Sequence, residues 1–249
     1  MFKGKVILIT GASRWIWRTT ALFLAKEKAK IIVNYLESEK KAKKVVSLIE
    51  QLWWEAIAIK CDVSKEKEVE EMFKEIFQKF WDIDILINNA AITIEKNILE
   101  KTSADWKKTL NTNLVWPFLC SKYFYKNVLK KNILNKKLRK IINLSSINWT
   151  KDFYSETIDY DTSKAWIISL TKWLAKAFWP NFIVNAIAPW NVDNPEEDII
   201  ERNDVDEIEK EIYLNRYCKY SEISKVILFL ASDNSSYING ETIFVDWGN

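Results

Sequence analysis

The sequence predicts an α/β protein built on a single doubly wound parallel sheet of about seven strands, with helices on both faces. Three observations carry that expectation. Segments of strand length that are apolar throughout, rather than alternating, recur along the chain, as strands buried on both faces do. Longer segments with apolar residues at helical spacing separate them. The 249 residues hold no linker, low-complexity stretch or repeat beyond this alternation, and suffice for one large core, so residues 1–249 read as one domain.

In order, Lys5–Ile9 reads as the first strand and Thr19–Lys28 as the first helix. Lys30–Tyr35 is the second strand, Ser38–Leu52 a helix, Glu55–Lys60 the third strand, Lys65–Phe80 a helix and Ile83–Ile87 the fourth strand. A long helix follows over 103–131, then a fifth strand at Arg139–Leu144, a helix at Thr157–Phe178 and a sixth strand at Phe182–Ile187. The segment 190–220 is polar and acidic, with weak helical periodicity near Asp206–Leu214. Ser221–Ala231 is a helix with Ser as its N-cap and Glu222 in its first turn, where a carboxylate suits the helix dipole. Thr242–Val245 is the last, short strand.

Composition narrows the chemistry. A net charge of +3 is too small for a dominant nucleic-acid or membrane-surface signal, which leaves a small molecule or a protein as partner. No run reaches the roughly 18 uncharged apolar residues of a membrane span, and the apolar run after Met1-Phe2-Lys3-Gly4-Lys5 is too short for a signal peptide, so a cytoplasmic location is expected. Cys61, Cys120 and Cys218 lie far apart, which argues against a zinc site or a disulfide framework, and no metal is expected. The chain has no histidine, so Ser-His, Cys-His and His-metal mechanisms are excluded and acid-base work falls to Tyr, Lys, Asp or Glu.

The first strand ends in Thr10-Gly11-Ala12-Ser13-Arg14-Trp15-Ile16-Trp17, followed by a helix. In a doubly wound fold this turn meets helix N-terminal amides that favour a phosphate. Other segments fit the same carboxyl edge: Asn88-Asn89-Ala90-Ala91 after the fourth strand, Asn113 in the long helix, Ser145-Ser146 after the fifth, and Tyr160-Asp161-Thr162-Ser163-Lys164 at the next helix. With Asp62-Val63, Val184-Asn185-x-Ile187-Ala188-Pro189, Phe229-Leu230-Ala231-Ser232-Asp233 and Val245-Asp246, this ordered set resembles the short-chain dehydrogenase/reductase family over the whole length. Within it the chain is most similar to the 3-oxoacyl-(acyl carrier protein) reductases.

Tyr160 and Lys164, four residues apart, project from one helix face. A free tyrosine titrates near pH ~10, and a nearby ammonium is expected to lower that value, poising Tyr160 to protonate an alkoxide or deprotonate an alcohol. The resemblance implies a Rossmann-like fold in which Ser146 bonds the substrate carbonyl, Tyr160 is the acid, Lys164 also holds the nicotinamide ribose and Asn113 positions a relay water. It implies cofactor contacts from Gly11, Ser13, Arg14 and Ile16 at the phosphates. Asp62 and Val63 would meet the adenine, Asn88 and Ala90 the adenosine ribose, and Val192, after Pro189, the carboxamide. The second strand ends Val33-Asn34-Tyr35-Leu36 without an acid at its tip, and Arg14 suits a 2′-phosphate, so NADP is expected; Glu37 keeps NAD open.

The implied reaction is NADPH-dependent reduction of a 3-oxoacyl-(acyl carrier protein) in fatty acid biosynthesis. Oxidation or reduction of another small alcohol, such as a sugar, polyol or 3-hydroxyacyl-CoA, and a non-catalytic nucleotide-binding role are the alternatives. The segment 190–220 would be the substrate lid, although Glu196-Glu197-Asp198 within it does not suit an acidic carrier. The basic run Lys130, Lys131, Lys136, Lys137, Arg139 and Lys140 reads either as a solvated helix end or as a docking patch for such a carrier. Resemblance also implies a homotetramer through the long helix, the helix at 157–178 and the last strand.

One anomaly runs through the chain: 13 tryptophans against 4 glycines, when an ordinary chain carries about 7% glycine. Laid on the family pattern, Trp15, Trp17, Trp149, Trp190 and Trp247 occupy glycine positions, and Trp53, Trp54, Trp81, Trp116, Trp166, Trp173 and Trp179 fall at turns or close packings that suit glycine. Only Trp106 sits where the family itself uses tryptophan. Those twelve added to the four written glycines restore an ordinary glycine share. The expectation is that the source organism reads a stop codon, UGA, as glycine, and that the letters were written with a code reading it as tryptophan. As written, Trp15 and Trp17 should crowd the phosphate turn.

Overall fold

The computed structural model of the chain describes residues 1–12, 15–134, 137–147, 154–190, 192, 214 and 216–246, and of Trp15 the backbone alone. Seven parallel strands, β1 Val6–Ile9, β2 Lys30–Tyr35, β3 Ala56–Lys60, β4 Ile85–Asn88, β5 Arg139–Leu144, β6 Phe182–Pro189 and β7 Thr242–Val245, form one open sheet in the order β3-β2-β1-β4-β5-β6-β7. Register is continuous, with Leu8 beside Ile32 and Leu86, Ile87 beside Ile142, and Ile141 beside Val184. The central strands are apolar throughout because helices cover both sides.

Helices α1 (Trp15–Lys26), α2 (Glu39–Glu50) and α7 (Tyr220–Ala231) cover one face, burying Ala21, Leu24, Val45, Ile49, Ile223 and Ile227 against Ile7, Ile9, Ile31 and Val33. Helices α3 (Glu66–Lys79), α5 (Trp116–Lys130) and α6 (Ile158–Ala177) cover the other, where Phe73, Phe77, Phe124 and Leu174 pack on Leu8, Leu86 and Val184.

Three element expectations need correction. The first helix starts at Trp15, not Thr19, so the turn after β1 is short. The long helix at 103–131 is two α-helices, α4 (Ser103–Leu110) and α5, joined by a π-helical turn at Asn111–Val115. The cap of α7 is Lys219 and not Ser221, because the Glu222 carboxylate reaches back to accept from the Lys219 N–H at 2.9 Å. The expected helix near Asp206–Leu214, apart from Leu214, and most of 190–220 lie outside the described residues.

Among the described residues, four that are not glycine hold left-handed backbones: Lys28 (φ +73°), Trp53 (+64°), Trp81 (+66°) and Asn132 (+52°). Each closes a helix, at the position where glycine is the usual residue. At three of them the next amide bonds back five residues, Ala29 to Leu24 O at 3.1 Å, Trp54 to Ile49 O at 3.4 Å and Ile133 to Val128 O at 3.2 Å, which is the Schellman pattern. Trp116 is fully buried at the start of α5, and its indole Nε1 has no hydrogen-bond partner.

Candidate active site

The carboxyl ends of β1 to β6 open on a cleft of about 770 Å³, at the point between β1 and β4 where strand order reverses. Side-chain amides stitch the strand ends that form its floor. The Gly11 N–H donates to Asn34 Oδ1 at 3.2 Å, and Asn34 Nδ2 donates to the Ile59 and Cys61 carbonyls at 3.4 and 3.2 Å, tying β1, β2 and β3 together. Thr10 Oγ1 donates to Ile87 O at 3.0 Å and accepts from the Asn89 N–H at 2.9 Å, which joins β1 to β4.

Gly11 is the one glycine that the site geometry demands. Its backbone is left-handed, φ +63°, and a Cβ there would lie 3.1 Å from Ala90 Cα and from Asn89 Nδ2. Ile16, Asp62, Val63, Ala90, Pro189 and Val192 also line the cleft. Burial pushes the Asp62 carboxyl up, but hydrogen bonds from the Ser64 amide and hydroxyl, at 3.0 and 2.6 Å, together with Lys65, outweigh it and hold the group below its ordinary range. Ser13 and Arg14 lie outside the described residues.

On the other side of the cleft, Tyr160 and Lys164 stand on one face of α6, opposite the end of β5. The Ser146 hydroxyl hydrogen-bonds the phenol of Tyr160. Ser145 instead donates to the Lys164 carbonyl at 2.8 Å and so anchors the helix, leaving Ser146 for the reacting group. Lys164 Nζ donates to Leu144 O at 2.8 Å. Burial pushes its ammonium down to about 8.

The expected fall in the Tyr160 pKa is not found. Burial pushes the phenol up to about 12; the Ser146 bond works downward and the Asp161 carboxylate upward. Lys164 spends its hydrogen bond on the Leu144 carbonyl, and a low-dielectric site penalises phenolate. Tyr160 therefore carries its proton at neutral pH.

Two of the sequence-predicted residues do not face the cleft. The Asn88 carboxamide, expected at the adenosine ribose, is buried and donates to Asn143 Oδ1 at 2.8 Å and Ser121 Oγ at 3.2 Å; its neighbour Asn89 lines the cleft instead. Asn113 lies behind the cleft wall. Its Oδ1 accepts from the Ile92 N–H and its Nδ2 donates to Ile92 O, both at 2.9 Å, and Nδ2 also reaches Ser163 Oγ at 3.0 Å. The π-helical turn that carries Asn113 aims it at these three atoms.

Asn34 and Asn89 stood in quoted segments of the sequence without a role assigned to either. The available signal was a carboxamide at or just after the end of an otherwise apolar strand. Of the basic run, Arg139 and Lys137 pair with Asp82 at 2.7 and 3.0 Å and Lys140 is buried against Ser232 O and Ser235 Oγ, at the amino end of β5 and away from the cleft; Lys136 lies outside the described residues.

Trp17 and Trp190 line the cleft, with 5% and 6% of their surface exposed. Trp17, in the first turn of α1, packs into the core cluster on that face of the sheet while it lines the cleft. The side chain of Trp15, with Trp149 and Trp247, lies outside the described residues.

Residues 11–249 match the profile of a family described as enoyl-(acyl carrier protein) reductase. A 3-oxoacyl-(acyl-carrier-protein) reductase of Staphylococcus epidermidis is 35% identical over 246 residues, 98% of each chain. Among solved structures, a Burkholderia cenocepacia short-chain dehydrogenase in complex with NADP superposes with a TM-score of 0.89 at 26% identity, covering 99% of this chain and 98% of that one. An NAD⁺-bound xylitol dehydrogenase superposes with a TM-score of 0.88 at 26% identity over 99% of both chains.

Proposed function

The chain belongs to the short-chain dehydrogenase/reductase family, and on that premise we propose that it reduces the ketone of a 3-oxoacyl group held on acyl carrier protein, with NADPH as reductant. The observation that carries the reading is the Ser146–Tyr160–Lys164 constellation at the mouth of the cleft, with Tyr160 protonated. Reduction consumes a proton at the carbonyl oxygen, and a phenol pushed up to about 12 is loaded to give it. The Ser146 hydroxyl, already bonded to the phenol, donates to the same oxygen and fixes its place between the two groups. The Lys164 ammonium steadies the phenolate left behind.

The cleft fits a dinucleotide: its volume is that of an ordinary ligand site, and Gly11 keeps clear the space a Cβ would fill. When bound, the nicotinamide supplies a hydride to the carbonyl carbon. Gly11, Ser13, Arg14 and Ile16 would hold the phosphates, Asp62 and Val63 the adenine, Ala90 the adjacent ribose, Lys164 the nicotinamide ribose, and Pro189 and Val192 the carboxamide. NADP is favoured because β2 ends in Asn34 and Tyr35 with no acid. Glu37 lines the cleft beyond them and supports NAD as the second reading.

The natural chain, in this reading, carries glycine at the twelve positions from Trp15 to Trp247 other than Trp106. The left-handed helix closures at Trp53 and Trp81 support it, as does the unpartnered Nε1 of Trp116. The segment 190–220 acts as substrate lid. A cytoplasmic homotetramer is the working assembly: Val115 on the π-helical turn, Phe118 and Leu129 on α5 and Phe244 on β7 leave apolar surface exposed.

The test is NADPH oxidation by protein with glycine at the twelve positions, using acetoacetyl thioesters on carrier protein and on CoA, an enoyl thioester, and sugar or polyol oxidation as comparison. Preference for the carrier-bound 3-oxoacyl substrate supports the reading, and preference for a sugar, polyol or enoyl substrate replaces it. Nucleotide binding with no turnover on any substrate would assign a non-catalytic role.

A further inference from the structure

The segment between β4 and α4 forms the cleft wall at Ala91, Ile92 and Thr93, then passes beneath the start of α6. It is tied down at intervals. Ile92 is held from both sides by Asn113, and the Lys96 N–H donates to Glu156 O at 3.3 Å while Lys96 Nζ grips both Asp105 oxygens at 2.9 and 3.0 Å. The last tie is of a different kind. Lys101 Nζ donates to Ile94 O and to Asp159 Oδ1, and the two side chains are 2% and 0% exposed. Thr109 of α4, fully buried, donates to Asp159 Oδ2 at 2.7 Å.

A fully buried ion pair is rarely a source of net stability, because desolvating both charges offsets most of their attraction. Its use here is geometric. Asp159 is the residue immediately before Tyr160, so one carboxylate is bonded at once by the cleft-wall segment, through Lys101, and by α4, through Thr109. Burial pushes the Asp159 carboxyl up, but the Lys101 and Thr109 bonds outweigh it and keep it charged.

We propose that Lys101 and Asp159 are positioning residues for the reduction, fixing the start of α6, and with it Tyr160, against the 91–94 wall. The inference rests on the reading of Tyr160 as the proton donor. The phenol itself answers to burial, the Ser146 hydroxyl and the Asp161 carboxylate, so the pair acts through the placement of the helix and not through its own charges.

The tie can be removed from either side or kept with a different cation. The experiment compares Lys101→Met, Asp159→Asn, Lys101→Arg and the Lys101→Met/Asp159→Asn double variant in the full-length protein with glycine at the twelve positions. Two quantities are read: amide hydrogen exchange over the 91–94 wall and the first turn of α6, and kcat against KM.

The expected result is faster exchange over both segments in Lys101→Met and Asp159→Asn, while Lys101→Arg stays close to the parent. Lys101→Met should lose about tenfold in kcat with KM little changed, through misplacement of the phenol, with Lys101→Arg retaining most of it. Unchanged exchange or unchanged kcat in both single variants, with only the melting temperature lowered, would overturn the proposal and leave a structural tie. A parent without turnover would defeat the reductase reading alone, since the exchange still tests the tie.

Discussion

Lys164 Nζ lies 5.6 Å from the centre of the Tyr160 ring and gives its 2.8 Å hydrogen bond to the Leu144 carbonyl. The pair therefore works as a protonated phenol beside a buried amine, and this sets the direction of catalysis on pH. Reductive kcat should change little between about pH 6 and 8, because Tyr160 keeps its proton there. Alcohol oxidation, which needs phenolate, should climb with pH. Lys164→Met removes the ammonium that steadies the phenolate left by reduction and should lower reductive kcat near neutral pH. Tyr160→Phe should lower kcat by roughly 10²–10⁴ in both directions. Steady-state pH profiles check these expectations; an oxidative rate already at its plateau near neutral pH would contradict them.

Asn113 supports the cleft wall through three hydrogen bonds. Asn113→Ala leaves the Ile92 N–H and carbonyl without these partners, at about 1–3 kcal/mol for each group left unsatisfied. Denaturant unfolding should show the loss, and kcat should fall with it because Ile92 lines the cleft.

Gly11 holds a left-handed backbone, and a Cβ there would sit only 3.1 Å from Ala90 and Asn89. Gly11→Ala should weaken NADPH binding, and the backbone strain adds about 1–2 kcal/mol of destabilisation. Fluorescence titration with NADPH and a thermal melt measure the two effects. In the same titrations with NADP and NAD forms, the NADP form should bind and turn over better; a clear preference for NADH would reverse the cofactor assignment.

Trp53 and Trp81 hold φ values of +64° and +66° at helix ends. Trp53→Gly and Trp81→Gly in the chain as written should each stabilise it by about 1 kcal/mol, by releasing strain at exposed positions. Trp106→Gly, inside α4, should destabilise it by a similar amount. The codons decide the origin: UGG at positions 15 and 17 would rule out a recoded stop, and the intact mass of the native protein reports the same difference.

Much of the fold could be read in the sequence, because strands covered on both faces announce themselves as unbroken apolar runs such as Val6–Ile9 and Ile31–Val33. The start of α1 was hidden by Trp15 and Trp17, which erase the glycine signature of the turn. The π-helical turn was not legible, since it depends on a contact between Asn113 and Ile92, 21 residues apart. Tyr160 and Lys164 could be paired from their spacing and Ser146 was added by the family resemblance, and all three line one cleft. The Lys101–Asp159 tie joins residues 58 apart and has no local pattern. The basic run was open to a docking reading because charge alone does not tell which end of β5 it occupies relative to the cleft.

The most direct measurement is single-turnover reduction of an acetoacetyl group on carrier protein, using NADPH deuterated at its hydride-donating carbon and protein with glycine at the twelve positions. The expected product is a 3-hydroxyacyl thioester with deuterium on the carbinol carbon, formed at a rate that collapses in Tyr160→Phe while NADPH binding persists. Deuterium placed elsewhere, or a rate indifferent to the loss of the Tyr160 hydroxyl, would contradict the assignment of the Ser146–Tyr160–Lys164 site as a carbonyl reductase.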